Sequence, residues 1–137
     1  MSFERILVAT DFSEAADAAL DVATDLSRRL GSEVILVHAC EELGVVPGSD
    51  LAEDARQKAQ QALDARLARL RAKDVRARGV VRGGLPLDQI VGAATDEHAG
   101  LLVLGTKPHS RLAELFGSLV DSVLDRAPCP VLAVRPS

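Results

Sequence analysis

The chain contains no tryptophan, no tyrosine and only three phenylalanines among its 137 residues. Aromatic platforms on which exposed bases could stack are therefore almost absent. A positive excess is missing too: 16 Lys and Arg stand against 20 Asp and Glu, a formal net charge of −4. Nucleic-acid binding leans on neutralising phosphates with Lys and Arg, so no nucleic-acid partner is expected. No apolar run approaches the roughly 20 residues of a membrane-spanning helix, and no membrane association is expected. The opening MSFERILVATDF sets charges beside a short apolar run and then an aspartate. That is not a secretory signal, and a cytoplasmic protein is expected. Cysteine is scarce as well. Cys40 and Cys129 lie far apart, with no CxxC spacing and no nearby histidine pair. A metal site is not expected; two buried, reduced thiols are.

What is present fits one domain over 1–137, with 47% hydrophobic and 26% charged residues and length enough for a substantial core. RILVAT (5–10), EVILVHA (33–39), LLVLG (101–105) and PVLAVR (130–135) are short, nearly continuous apolar runs. Parallel strands covered on both faces carry this pattern. DVRARGVV (74–81) alternates more and reads as an edge strand. Helical stripes lie between the runs. Ala16, Ala19, Ala23, Leu26 and Leu30 follow one another at steps of three and four, with Asp11 or Ser13 as a start and Gly31 as a stop. Ala55, Ala59, Leu63, Leu67 and Leu70 mark a face over 51–72, and Leu87, Ile90, Val91 and Ala94 another over 87–98. A last helix is predicted over about 118–126, with Leu119, Val120, Val123 and Leu124 inward, before Pro128 and Pro130 block continuation.

The order β-α-β-α-β-α-β-α-β implies an α/β three-layer sandwich: a five-stranded parallel sheet with about four helices and right-handed crossovers. Ligands bind such sheets beyond the carboxyl ends of the strands, where the winding reverses. With strand order 3-2-1-4-5, that reversal falls between strands 1 and 4, beside Asp11 and the segment GTKPHSRLAELFGS (105–118). The polar connection CEELGVVPGSD (40–50) is placed to act as a flap over the same end.

ILVATDFSEAADAAL, EVILVHA, GLPLDQIVGAA, LLVLGT and GSLVDSVLDRAPCPVLAVRP, in this order and at this total length, resemble the universal stress protein family. The resemblance covers nearly the whole chain. It implies a Rossmann-like fold of the adenine nucleotide alpha-hydrolase-like kind. Nucleotide-binding members carry G-x2-G-x9-G-[ST] after strand 4, and Gly105, Gly117 and Ser118 match its first and last positions. Pro108 stands where the second glycine belongs, and eight residues rather than nine separate it from Gly117. By the same resemblance, Asp11 matches the acidic residue near the nucleotide and Ala39 lines the adenine pocket. Thr10, Leu104, Thr106, Lys107 and Leu119 are flanking site positions. ATP or AMP is the implied ligand, with Mg2+ if ATP, and the last strand, Val131, Leu132, Ala133 and Val134, is the implied homodimer contact.

The departures have physical content. Pro108 offers no N–H to a phosphate oxygen, and a hydrogen bond to a charged group is worth about 1.5–3 kcal/mol. Lys107, His109 and Arg111 supply cations that act in the other sense. A residual, weakened site is expected. Local structure offers its own readings: Ser118 with Asp121 forms a capping box, Asp11 with Glu14 an N-cap, and Gly105 a turn. His38, inside a strand, reads as a hydrogen-bonded core histidine. No G-x4-G-K-[ST], G-x-G-x-x-G, G-x-S-x-G, SGG-x-DS or HIGH motif occurs, so catalysis is not expected. The two readings left are a nucleotide-responsive binding protein and a nucleotide-free dimeric module acting through protein contacts.

Overall fold

Each run of branched apolar residues becomes a strand wherever both of its faces are covered. The structure is a computed structural model describing residues 2–41, 46–106 and 119–136. Strands β1 (Arg5–Ala9), β2 (Glu33–Cys40), β3 (Ala77–Gly83), β4 (Leu101–Gly105) and β5 (Val131–Val134) alternate with helices α1 (Glu14–Leu30), α2 (Asp50–Ala72), α3 (Pro86–Asp96) and α4 (Leu119–Arg126). The strands form one parallel sheet in the order β3-β2-β1-β4-β5. In register, Val8 of β1 faces Leu36 of β2 on one side and Val103 of β4 on the other.

Two cores result from the period-two alternation of side chains. Ile6, Val8, Val34, Leu36 and Val103 pack under Ala19, Leu20 and Ala23 of α1 and Leu63, Leu67 and Leu70 of α2. Leu7, Ala9, Ile35, Val37, Leu102 and Leu104 pack under Ile90, Ala93 and Ala94 of α3 and Val123 of α4. Removing any of the fully buried leucines would cost about 2–5 kcal/mol through lost burial and the cavity left behind.

The helix ends follow their local chemistry. Ser13 Oγ accepts the Ala16 N–H at 3.2 Å, and Gly31, in the left-handed region at φ 72°, returns its N–H to Ser27 O at 2.8 Å. Ser49 caps α2 in the same way through Ala52. Strand β3 starts at Ala77 rather than 74, because Asp74 adopts φ 61° in the turn that leaves α2. At the N-terminal end of the sheet, Arg78 of β3 reaches Glu33 of β2 at 3.4 Å and closes an ion pair on Glu97 after α3. The Arg78 hydrogen bond and charge hold the Glu97 carboxyl below its ordinary range, and the same contact raises the guanidinium.

Four inward assignments need correction. Leu30, Leu119 and Leu124 are exposed at 53%, 42% and 53%, and Ala55 is exposed as well. The buried stripe of α1 runs through Leu20, Thr24 and Ser27, drifting at 3.6 residues per turn away from Leu30. Helix α4 is so short that Val123 alone is fully covered. Cys40 is buried and Cys129 half-buried, both free, and burial pushes the Cys129 thiol up.

Candidate functional site

Because Val8 pairs with Val103, the chain leaves β1 at Thr10 and β4 at Gly105 side by side. The helices part there, and a hollow of about 600 Å3 opens, a size common for small-molecule sites. Its floor is the end of the sheet: Ala9 to Ser13 in and after β1, Val37 to Glu41 in and after β2, and Leu104 and Gly105 in β4. Ala55, Lys58 and Ala59 of α2 form one wall; Pro86 and Ile90 of α3 and Leu119 of α4 form another.

Of the residues named from sequence, Thr10, Asp11, Ala39, Leu104, Gly105 and Leu119 meet at this hollow. Thr106 is not among its lining residues. It follows Gly105, donates its N–H to Val134 O at 2.9 Å, and keeps a buried Oγ1 with no hydrogen-bond partner among the described residues. Lys107, Pro108, His109, Arg111, Gly117 and Ser118 lie outside the described residues, as do 42–45 of the proposed flap. The capping box of Ser118 with Asp121 is outside them for the same reason.

The turn after β1 is tightly specified. Thr10, buried, donates its N–H to Val37 O at 2.9 Å and accepts the Phe12 N–H on Oγ1 at 3.0 Å. Asp11 Oδ1 accepts the Ser13 N–H at 3.0 Å, so Ser13 rather than Asp11 is the N-cap of α1. Phe12 between them sits at φ 65°, a left-handed conformation that costs a bulky residue on the order of 1–3 kcal/mol. Its ring stacks on His38 with centroids 4.4 Å apart. His38 Nδ1 is 2.8 Å from Thr10 O; a carbonyl only accepts, so Nδ1 carries the proton. The expected hydrogen-bonded histidine is found, and it also lines the hollow.

Arg66 of α2 completes the arrangement. Its guanidinium pairs with both oxygens of Asp17 at 2.8 and 3.1 Å, lies 4.9 Å from the Phe12 ring centroid, and donates to Phe12 O at 3.4 Å. Phe12, Asp17, Arg66, Lys58 and Cys40 were not singled out from sequence as site residues. Asp17 and Arg66 stand 49 positions apart on helices whose mutual packing no local pattern specifies. A bulky residue in the short polar turn TDFSE was the one available signal.

The arrangement offers an apolar slot floored by strand ends, with carboxylates at Asp11 and Glu41 and an ammonium at Lys58 on its rim. No group of three or more His, Cys, Asp or Glu side chains among the described residues could hold a metal ion. No helix among them is long and apolar enough to cross a membrane.

Comparison with known proteins agrees with this geometry. A universal stress protein of Thermus aquaticus is 34% identical over 140 residues, covering 97% of this chain and 99% of its own. The structure of the universal stress protein UspA from Lactobacillus plantarum superposes with a TM-score of 0.83 at 25% identity, covering 98% of this chain and 99% of that one. A universal stress protein solved in complex with cAMP superposes with a TM-score of 0.79 at 26% identity over 100% of both chains. The sequence profile described as "Universal stress protein family" matches residues 2–135, and the chain belongs to that family.

Proposed function

We propose that this chain is a single-domain, non-catalytic adenine-nucleotide-binding protein of the cytoplasm, acting in the stress response as a homodimer. The observation that carries the reading is the hollow at the junction of β1, β2 and β4. Val37, Ala39, Ile90 and Leu104 give it apolar surfaces suited to a flat base. Asp11 on the rim suits ribose hydroxyls, which are hydrogen-bond donors to a carboxylate. A relative of the same fold binds cAMP. In this reading Gly105, Thr106, Lys107, Gly117 and Ser118 receive the phosphates, with ATP or AMP as ligand. With ATP as ligand, Mg2+ would accompany its phosphates. Pro108 and the shortened loop favour a weaker site than an intact signature provides.

Titration calorimetry with Mg·ATP, AMP and cAMP tests this. Saturable heat is expected, weakened about ten- to a hundredfold in Asp11→Ala and lost in Ala39→Phe, which fills the slot. Absence of heat at millimolar ligand would overturn it.

The sheet edge favours a second reading, a nucleotide-free module acting through protein contacts. Among the described residues strand β5 pairs with β4 alone, and Val131, Leu132 and Val134 are only half-buried. An edge of this kind invites a partner strand, and both readings share pairing through Val131–Val134.

A further inference from the structure

The geometry points to Arg66 as the positioning residue of the site: from α2 it locks the turn after β1 into the conformation that shapes the hollow. The inference rests on the nucleotide reading for its consequence, and on the contacts of Arg66 alone for its cause.

Three elements have to agree for Phe12 to hold φ 65°. Thr10 Oγ1 fixes its N–H and Arg66 Nη2 reaches its carbonyl, so both polar groups of the strained residue are held. Its ring meets both the Arg66 guanidinium and the His38 imidazole. Arg66 is itself fixed: its side chain is 17% exposed, both Asp17 oxygens bind it, and Nη1 donates to Ala62 O at 3.2 Å. Planar fork geometry makes this possible; a lysine's compact ammonium has three donors but can neither grip Asp17 with two parallel N–H bonds nor lay a flat plane against the Phe12 ring. Asp17 lies in the first turn of α1, so one guanidinium joins α1, α2 and the turn. Thr10, Asp11, Phe12 and Ser13 all line the hollow. Arg66 does not, so its influence on a ligand passes through them.

Removing Arg66 releases Phe12 from its strained conformation and lets the ring leave His38. A site with its floor turn no longer held binds more weakly, because the ordering must then accompany binding. The experiment uses wild type, Arg66→Met, Arg66→Lys and Asp17→Asn, with two readouts. The first is the NMR shift of the His38 ring protons, displaced in wild type by the Phe12 ring current and assigned with His38→Gln. The second is AMP affinity by calorimetry.

In Arg66→Met the His38 shift is expected to relax and AMP affinity to fall tenfold or more, with cooperative thermal unfolding retained. Arg66→Lys should not rescue either readout, and Asp17→Asn should move both partway. If Arg66→Met fails to fold, Arg66→Lys and Asp17→Asn carry the test. An unchanged His38 shift, or AMP affinity within twofold of wild type in a folded variant, would overturn the inference. Wild type that binds no AMP would sink the nucleotide reading instead, while the His38 shift still decides whether Arg66 holds the turn.

Discussion

Gly105, the last residue of β4, lies against the backbone of Ala15: a Cβ at Gly105 would stand 2.3 Å from Ala15 O and 3.0 Å from Ala16 N. The glycine is therefore required by the close approach of strand to helix, not by a turn of its own. Neither backbone can yield without moving the start of α1. Gly105→Ala is expected to destabilise by ~2–3 kcal/mol through overpacking, lowering Tm by roughly 7–10 °C in a domain of this size. Differential scanning calorimetry measures this directly, and a Tm within 2 °C of wild type would contradict the packing account.

Glu97 and Arg78 govern a pH effect at the other end of the sheet. The Glu97 carboxyl is held below its ordinary value by the Arg78 hydrogen bond and charge. Its contribution is fully present above the unfolded carboxylate pKa of about 4.3 and is lost as pH falls through the lower folded value. Arg78 keeps 41% of its side-chain surface in solvent, so the pair is worth under about 1 kcal/mol. Melting curves of wild type and Glu97→Gln should differ most above the unfolded carboxylate value and converge as pH falls below it. A gap that widens in acid would refute the sign.

The outer edge of β5 can be interrupted without touching the inner one. Leu102 N–H bonds to Pro130 O and Thr106 N–H to Val134 O. In a parallel ladder, Leu132 and Val134 therefore face β4, and the N–H groups of Val131 and Ala133 point outward. Ala133 is also exposed. Ala133→Pro removes one outward donor only. If the proposed homodimer forms here, sedimentation should show this variant as a folded monomer. Persistence of the dimer would place the contact elsewhere.

Lys58 is the one lysine or arginine among the described residues lining the hollow. It is 74% exposed and pairs with Asp54 at 3.0 Å one turn earlier. Under the nucleotide reading, Lys58→Ala should leave adenosine affinity within twofold and weaken AMP about threefold, an effect erased near 0.5 M salt. Equal losses for adenosine and AMP would mean that the side chain acts through packing.

The strands were legible because a buried parallel strand must be apolar on both faces, and β1, β2 and β4 carry such runs; their order in the sheet came with the family resemblance. The start and stop of α1 were legible for an equally local reason, a hydroxyl at Ser13 and a left-handed glycine at Gly31. From these followed the meeting of Asp11 with Gly105, since topology alone brings those strand ends together. Legibility failed wherever a side chain depends on how far a neighbouring element extends. Leu30 and Leu124 have the spacing of core residues and lie beyond the surface that would cover them. It failed also for Arg66, which on the sequence of α2 is one arginine among several. Only the packing of α2 against α1 sets it apart by bringing Asp17 and Phe12 within its reach.

The hydrogen bond from Thr10 N to Val37 O continues the pairing of β1 and β2 past the last residue of β1. An amide held between two buried strands belongs with those expected to exchange slowly with solvent deuterium. The bottom of the hollow is thus among the more durable parts of the molecule. A guest molecule would meet a fixed platform there, and among the described residues news of its arrival would travel outward through the surrounding helices.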